Sequence, residues 1–284
     1  MPVDLHKAIQ YAQLVDAAYA VPPANTTNAA GQVIKAGLGT TSTAYDVITT
    51  IYANDLATDI NPLRGTQLVS IGLILQASVT GEAVIALRGT EGILEWLHDA
   101  AFLLCKCPFL PGAGSTEDGF TAMYGSLTTG VAVGSPPVAQ ALTGLPWKTQ
   151  VSALTICGHS LGGALATLLA LDVAANTSFQ QPVVYTYGSP RTGDPLFVST
   201  YDQVVPQTFR IANRLDLVPK LPLPPLYGHV LGLYDVNPIK LGLPPIFLVK
   251  FDIACEHFLS SYLHLLSQLA GGAVLPLAAG CVPP

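Results

Sequence analysis

Apolar residues near the start of the chain recur at the spacing of one helix face. This stripe predicts an amphipathic N-terminal helix through Leu5, Ile9, Ala12, Val15 and Ala18. Short apolar or β-branched runs follow and predict the first strands of a sheet, at residues 47–53, 68–76 and 83–87. Over residues 92–104 the helical period returns, with acidic side chains opposite an apolar stripe, and predicts a second amphipathic helix.

The second half of the chain alternates strand and helix patterns. An apolar run at 150–157 ends in GHSLGG, and the Ala- and Leu-rich stretch 161–175 predicts a buried helix directly after it. A strand at 183–187, a helix near 195–205 and a strand at 208–212 form a second unit. Strands separated by helices indicate an α/β fold with a mostly parallel central sheet flanked by helices.

The end of the chain has a different pattern. Residues 219–245 hold seven prolines among apolar residues, which predicts an ordered loop with one short strand over the carboxyl edge of the sheet. A helix over residues 256–269 is predicted to close the chain.

The composition suits one domain with a large core. Of the 284 residues, 50% are hydrophobic and 11% are charged, which excludes a disordered chain. We expect a single domain over residues 1–284. The net charge is −6 and no basic run exceeds two residues, so nucleic acid is not an expected partner.

The mean hydropathy of +0.47 raises the question of a membrane span. The charge-free stretch 265–284 is interrupted by two adjacent glycines and three prolines, so we predict no transmembrane segment. The N-terminus lacks the basic-then-apolar order of a secretory leader. The default expectation is therefore an intracellular protein, although a secreted enzyme with a trimmed leader would have the same sequence.

The chain has five cysteines, so at least one thiol has no partner within it. The one-residue spacing of Cys105 and Cys107 fits neither the usual zinc pairs nor a redox CxxC motif. Cys255 and Cys281 could close a C-terminal loop in an oxidising compartment, which the sequence alone does not decide.

The strongest chemical signal is the motif GHSLG at residues 158–162, which has the form G-x-S-x-G. It lies between a predicted strand and a predicted helix, the context that a nucleophile elbow requires. The tight turn lifts the hydroxyl of Ser160 to the sheet edge at the start of a helix, where negative charge is favoured. Ser160 is therefore the predicted nucleophile, and a Gly-rich turn with an idle serine is the alternative.

A serine hydroxyl near pH 7 needs a neighbouring base, and the base needs a carboxylate to orient it. In this architecture these groups follow in the order serine, acid, histidine. His257, at the start of the last predicted helix, is the predicted base, whereas we expect His229 to be a hydrogen-bonded framework residue. Asp216 directly follows a predicted strand and is the predicted acid. Asp194 has the position of a helix N-cap.

The oxyanion that forms during acyl transfer needs at least two fixed donors. The backbone N–H of Leu161, directly after the nucleophile, is the first. Thr90, in the loop after the strand at 83–87, is the candidate for the second through its N–H and hydroxyl. We expect Arg88 to anchor that loop by a salt bridge. The ring of His159 is expected to point away from the serine and to hold neighbouring backbone.

Five motifs in order resemble those of the class 3 lipase family, the fungal-lipase-like branch of the α/β-hydrolases. They are VIALRGT with Trp96 after it, ICGHSLGGALA, VYTYGSPRTGD, FRIANRLDLVPKLP with YGHV, and EHFLSSYL with Tyr262 five residues after the histidine. The resemblance covers nearly the whole chain, from the first helix to His257. Five motifs in the correct order are far more specific than any one of them.

The resemblance implies an α/β-hydrolase fold with a lid helix and assigns roles to matching residues. These are a triad of Ser160, Asp216 and His257, an oxyanion hole of Thr90 and Leu161, a lid over residues 91–104, and a structural role for His229. Two positions depart from the family pattern. A His-x-Gly-Phe-like segment is replaced by Glu117-Asp118-Gly119-Phe120, which leaves the packing of that helix start open, and Leu87 replaces the commoner Phe, which would alter the width of the acyl pocket.

We therefore predict a serine carboxylic-ester hydrolase, a lipase or esterase, that cleaves acylglycerols or similar apolar esters through an acyl-enzyme without a metal or cofactor. The predicted substrate-binding and lid residues are Ile93, Trp96, Leu97 and Leu104, with transient contact to a lipid interface. A plain surface helix is the alternative for that segment. For the function, the alternatives are a short-chain or aromatic-acid (feruloyl-type) esterase without interfacial activation, and a non-catalytic lipid-binding protein on the same fold.

Overall fold

The structure, a computed structural model, describes residues 2–22, 28–54, 68–90, 102–132, 134–242 and 254–281. Its strands are β1 (Val33–Ala36), β2 (Thr43–Asn54), β3 (Leu68–Ala77), β4 (Ala83–Leu87), β5 (Leu104–Lys106), β6 (Ser115–Glu117), β7 (Leu154–His159), β8 (Val183–Tyr187), β9 (Thr208–Asn213) and β10 (Leu233–Val236). Its α-helices are α1 (Leu5–Tyr19), α2 (Asp118–Gly125), α3 (Val138–Ala141), α4 (Leu161–Asn176), α5 (Pro195–Val204), α6 (Ala254–His257) and α7 (Leu259–Ala270).

Eight of the described strands form one sheet in the order β1-β2-β3-β4-β7-β8-β9-β10, and β5 pairs with β6 separately. The pairings from β4 to β10 are parallel, and those from β1 to β4 are antiparallel. The sheet is therefore mixed, and the predicted parallel arrangement holds for its C-terminal half. Because parallel strands end at the same edge, the loops after β4, β7, β8 and β9 lie side by side.

Helices cover both faces of this sheet. One core contains the apolar side chains of α1 and α7, and the other contains those of α2, α4 and α5. The helix α4 is buried on nearly every side, as its Ala- and Leu-rich sequence predicts. This helix begins directly after Ser160, so its packing fixes the position of the turn that carries the serine.

Most predicted elements are confirmed near their expected bounds. The strands at 83–87 and 183–187 match β4 and β8, and the helix at 161–175 matches α4 to within one residue. The strand predicted at 150–157 was wrong at its start, since β7 begins at Leu154. Ser152 instead donates its N–H to the carbonyl of Gly81 in the turn before β4, and Ala153 accepts the N–H of Ala83, the first residue of β4. In the proline-rich segment, β10 is the short strand that was expected.

Two further predictions need correction. Leu104 does not belong to the helix predicted over 92–104, because it begins β5 and pairs antiparallel with Glu117. The helix predicted over 256–269 is divided into α6 and α7 at Phe258, whose backbone is extended with φ −56° and ψ 139°. Pairing with a distant strand and a single extended residue both leave the local hydrophobic period unchanged, so the sequence pattern does not reveal them.

The C-terminal segment is joined to α6 by a disulfide between Cys255 and Cys281, with a Cα–Cα distance of 5.5 Å. Cys105, Cys107 and Cys157 are free thiols. In the part of the chain that the structure describes, no helix combines the length and the apolar composition needed to cross a bilayer.

Candidate active site

The turn that carries Ser160 joins β7 to α4. Ser160 has φ 58° and ψ −128°, a conformation that non-glycine residues rarely adopt, and its N–H donates to the carbonyl of Tyr187 at 2.9 Å. A Cβ atom on Gly158 would lie 2.1 Å from the carbonyl oxygen of Gly162, and one on Gly162 would lie 2.3 Å from that of Leu87. Both glycines are therefore required by close backbone approach, which is the geometry of a nucleophile elbow.

His257 and Asp216 meet although 41 residues separate them in the chain. The distance from His257 Nδ1 to Asp216 Oδ2 is 2.7 Å, and both side chains are buried. The other oxygen, Asp216 Oδ1, accepts the N–H of Val218 at 2.9 Å. A carboxylate only accepts, so Nδ1 of the imidazole carries the hydrogen and Nε2 is left as an acceptor when the ring is neutral.

Two polar side-chain atoms of the predicted triad are buried and unpaired within the described residues. They are the hydroxyl oxygen of Ser160 and Nε2 of His257, neither of which has a hydrogen-bond partner there. Buried polar atoms normally have partners, so an orphaned pair at one site calls for an explanation. In serine hydrolases the contact between nucleophile and base is often long before substrate binds, so the unpaired atoms agree with the roles predicted for Ser160 and His257.

Tyr262 is a further member of the site that the sequence did not assign a role. Its hydroxyl donates to Asp216 Oδ2 at 2.6 Å and accepts the N–H of Asn213 at 3.1 Å. Burial raises the pKa of Tyr262 well above its ordinary value, so the phenol keeps the proton that it donates. The motif EHFLSSYL contained this tyrosine, but only the tertiary fold brings its hydroxyl to the carboxylate of Asp216.

The segment that carries His257 is also held by its neighbour. The amide nitrogen of Asn213, at the end of β9, donates to the side chain of Glu256 at 2.8 Å and to its carbonyl at 3.0 Å. These two bonds join α6 to the strand that leads to Asp216. The carboxylate of Glu256 is buried, which the sequence did not indicate.

The predicted oxyanion residues lie at the same sheet edge. Leu161 is the first residue of α4, where a backbone N–H has no acceptor within the helix. Thr90 follows β4 and is half-buried. Arg88 anchors this loop as expected, but the bonds that show it are hydrogen bonds to backbone: its guanidinium donates to the carbonyls of Ser70 at 2.9 Å and Gly89 at 3.0 Å. The predicted salt bridge stays a prediction.

Three other residues that the sequence analysis singled out bind backbone groups outside the proposed triad. His229 Nε2 donates to the carbonyl of Pro219 at 2.5 Å, as expected of a framework histidine. Glu117, which stands where the family pattern has histidine, caps α2 by accepting the N–H of Phe120 at 2.7 Å. A carboxylate therefore secures the start of this helix. Asp194 caps α5 as predicted.

The lid prediction over 91–104 stays a prediction. Ile93, Trp96 and Leu97 lie outside the described residues, and Leu104 is the exposed first residue of β5. Within the described residues, no three His, Cys, Asp or Glu side chains are grouped so as to hold a metal ion.

The family described as Lipase (class 3) matches residues 84–225, half of the chain, which include Ser160 and Asp216 and end before His257. The chain is 29% identical over 206 residues to phospholipase A1-II 4 of Oryza sativa subsp. japonica, covering 64% of this chain and 50% of that protein. It is 28% identical over 226 residues to the secreted mono- and diacylglycerol lipase 1 of Fusarium solani, covering 80% of this chain and 61% of that protein.

Solved structures show the same fold. An MDLA mutant from Penicillium cyclopium superposes with a TM-score of 0.63 at 23% identity, covering 83% of this chain and 82% of that one. A deletion mutant of the Rhizomucor miehei lipase in complex with its propeptide superposes with a TM-score of 0.55 at 25% identity, covering 69% of this chain and 57% of that one. The α/β-hydrolase fold is therefore established. The chain spans half of the rice relative and three fifths of the Fusarium relative.

Proposed function

Since the chain belongs to the class 3 lipase family, we propose that it is a serine carboxylic-ester hydrolase with Ser160, Asp216 and His257 as its catalytic triad. The observation that carries the proposal is the buried 2.7 Å contact between His257 and Asp216 at the sheet edge that also carries the elbow serine. A histidine oriented by a carboxylate near a serine in a strained turn is the arrangement that acyl transfer needs.

In the proposed reaction, Ser160 Oγ attacks the ester carbonyl while Nε2 of His257 takes the hydroxyl proton. Asp216 holds the hydrogen on Nδ1, which keeps Nε2 in the accepting tautomer and stabilises the imidazolium that forms. The imidazolium then gives its proton to the departing alcohol, and the acyl group stays on the serine. A water molecule then attacks the acyl carbonyl while the same imidazole takes its proton. The bond between the acyl group and Ser160 Oγ breaks, the imidazolium returns the proton to Oγ, and the acid is released.

Leu161 and Thr90 are the proposed donors to the oxyanion. The N–H of Leu161 lies at the N-terminus of α4, where the helix dipole also favours negative charge. Fixed donors of this kind typically contribute about 100- to 1000-fold to the rate. The proposal for Thr90 is supported by its position after β4, next to the strand that ends in the elbow.

Acylglycerols or similar apolar esters are the proposed substrates, met at a lipid interface. Apolar side chains are exposed directly beside the proposed triad, namely Leu217 after Asp216 and Phe258 after His257. The names of the Fusarium and rice relatives, an acylglycerol lipase and a phospholipase, agree with a lipid ester.

We propose an oxidising, extracellular location for the protein. The disulfide between Cys255 and Cys281 favours such a compartment. The Fusarium relative is named as a secreted lipase, which supports the same location.

The test compares the chain with its Ser160→Ala variant on p-nitrophenyl esters of graded acyl length and on a diacylglycerol below and above its aggregation point. We expect turnover to fall by several orders of magnitude, up to about 10⁶-fold, in the variant. Ser267→Ala is the matched control, because Ser267 is also fully buried but donates to the carbonyl of His264 instead of facing the site. The control is expected to keep its turnover.

The outcomes separate the candidate functions. Activity that rises on aggregation supports the lipase assignment. A maximum at two to four carbons with no such rise would favour a short-chain esterase instead. If a fluorophosphonate fails to label Ser160 while a fatty acyl ligand still binds, the chain is a lipid-binding protein and not a hydrolase.

A further inference from the structure

His159, the residue before the proposed nucleophile, is hydrogen-bonded through both ring nitrogens. Its Nε2 lies 2.8 Å from the carbonyl oxygen of His257, and its Nδ1 lies 2.7 Å from the hydroxyl of Tyr19. A carbonyl only accepts, so Nε2 carries the hydrogen and Nδ1 accepts from the tyrosine. Burial, with His257 beside it, lowers the pKa of His159 well below its ordinary value, which agrees with one donor and one acceptor on a neutral ring.

The backbone that His159 holds is distant in the chain. The ring was expected to hold neighbouring backbone, and it instead holds the carbonyl of His257, 98 residues later. The rings of the two histidines lie 4.7 Å apart with an interplanar angle of 32°. The histidine of the elbow is therefore in direct contact with the proposed general base.

Tyr19 extends this connection to the proposed oxyanion loop. Its hydroxyl donates to His159 and accepts the N–H of Gly89 at 2.9 Å. Gly89 directly precedes Thr90, and the guanidinium of Arg88 lies 5.9 Å from the centre of the Tyr19 ring. Three consecutive hydrogen bonds thus run from the loop of Thr90 to the backbone of His257.

This connection passes beside the nucleophile. A Cβ atom on Gly89 would lie 2.7 Å from Cβ of Ser160 and 2.8 Å from the hydroxyl of Tyr19. The Tyr19 hydroxyl is therefore a near neighbour of the serine, although its hydrogen bonds go to Gly89 and His159.

We propose that Tyr19 and His159 are positioning residues that fix the separation between the general base and the oxyanion loop. Acyl transfer requires its groups to be held to within about 0.5 Å of the productive geometry, and misplacement by about 1 Å can cost about 100-fold in rate. The two residues hold backbone on both sides of Ser160. The N-terminal helix α1 therefore contributes to turnover as well as to the core. This inference rests on the proposed function.

The first test is Tyr19→Phe, which keeps the ring and removes the hydroxyl. We expect kcat to fall about tenfold or more with KM within about twofold, because the reacting groups lose their alignment while substrate contacts stay. Tyr11→Phe is the matched control on the same helix. It also removes one hydroxyl hydrogen bond, to Glu82 at 2.6 Å, and is expected to lower the melting temperature without lowering kcat.

Two variants at position 159 separate the two ends of the connection. In His159→Gln the amide nitrogen can replace Nε2 as donor to the carbonyl of His257, whereas in His159→Asn the amide oxygen can replace Nδ1 as acceptor for Tyr19. We expect both to lower kcat and His159→Gln to retain more of it, since it keeps the bond to the base. Tyr19→Phe combined with His159→Gln should lose less than the product of the single losses, because both break the same hydrogen bond.

All rates are normalised to the fraction of enzyme that a fluorophosphonate titrates, so that misfolded protein does not count as slow enzyme. Equal kcat for Tyr19→Phe and Tyr11→Phe would overturn the positioning role and leave the proposed function intact. An unmodified chain that hydrolyses no ester would overturn both.

Discussion

Replacing Gly188 by alanine would place a single methyl group against the proposed triad. Gly188 follows β8 and has φ +59°. Its Cβ would lie 3.0 Å from Asp216 Oδ2, 3.1 Å from His257 Cε1 and 3.1 Å from the hydroxyl of Tyr262. Each distance is shorter than an ordinary contact of 3.4–4 Å, so at least one neighbour would have to move by a few tenths of an ångström.

None of the three neighbours can move alone. The hydroxyl of Tyr262 and Nδ1 of His257 bind the same oxygen of Asp216, at 2.6 and 2.7 Å. A shift of any one therefore lengthens at least one bond to the carboxylate. A displacement of about 1 Å can cost about 100-fold in rate, so we expect a shift of a few tenths of an ångström to lower kcat of Gly188→Ala about tenfold. Left-handed backbone strain of about 1–2 kcal/mol and overpacking of about 1–3 kcal/mol should lower its stability.

Gly271→Ala is the matched control for the backbone strain. Gly271 has φ +71° at the end of α7, and nothing lies within 4 Å of the position of its Cβ. It should lose the strain energy of about 1–2 kcal/mol and keep its kcat. Esterase kinetics at a temperature where both variants are folded, together with urea unfolding, measure the two effects. If Gly188→Ala has the same kcat as Gly271→Ala, the side chains of Asp216, His257 and Tyr262 do not form a rigid cluster and the prediction is wrong.

Two further predictions concern stability. Reducing the disulfide between Cys255 and Cys281, which are 26 residues apart, should lower the free energy of unfolding by about 3–4 kcal/mol, and equal urea midpoints for the native chain and Cys281→Ser would contradict this. Burial, and then the charge of Arg210, lower the pKa of His229 from 6.5 to about 3, so only the unfolded chain takes up this proton between those values. The stability that His229 contributes should therefore be present above pH 6.5 and be lost as the pH falls towards 3. Urea unfolding at pH 7, 5 and 4 should show a smaller decrease in the free energy of unfolding for His229→Gln than for the native chain. Equal decreases would refute this.

Local patterns predicted the parts of the fold that depend on local sequence. The elbow motif lies between a strand and a helix because glycine spacing and hydrophobic runs both act over a few residues. Asp216 could be singled out because it directly follows a strand in a sheet whose loops gather at one edge. The meeting of Asp216 with His257 was expected from the chain order, and the structure brings these two side chains together.

The features that the sequence did not predict depend on contacts between residues that are distant in the chain. Tyr19 lies at the end of a correctly predicted helix, yet its hydroxyl partners are 70 and 140 residues away, and no periodicity signals them. Tyr262 was noticed only as part of a motif, since its bond to Asp216 spans 46 residues. The short strand at Leu104 exists because β6 pairs with it, which a helical period over the same residues conceals.

The position of His257 after all the described strands of the sheet affects when activity can first appear during synthesis. Domains of a growing chain tend to fold from the N-terminal side, and β4, β7, β8 and β9 are complete more than forty residues before α6. A nascent chain that has already formed most of the sheet therefore still lacks the proposed general base and the disulfide between Cys255 and Cys281 that secures its helix. On the proposed function, a nascent chain cannot hydrolyse the lipids of the cell that makes it before α6 has been synthesised and has been joined to the end of β9 through Asn213.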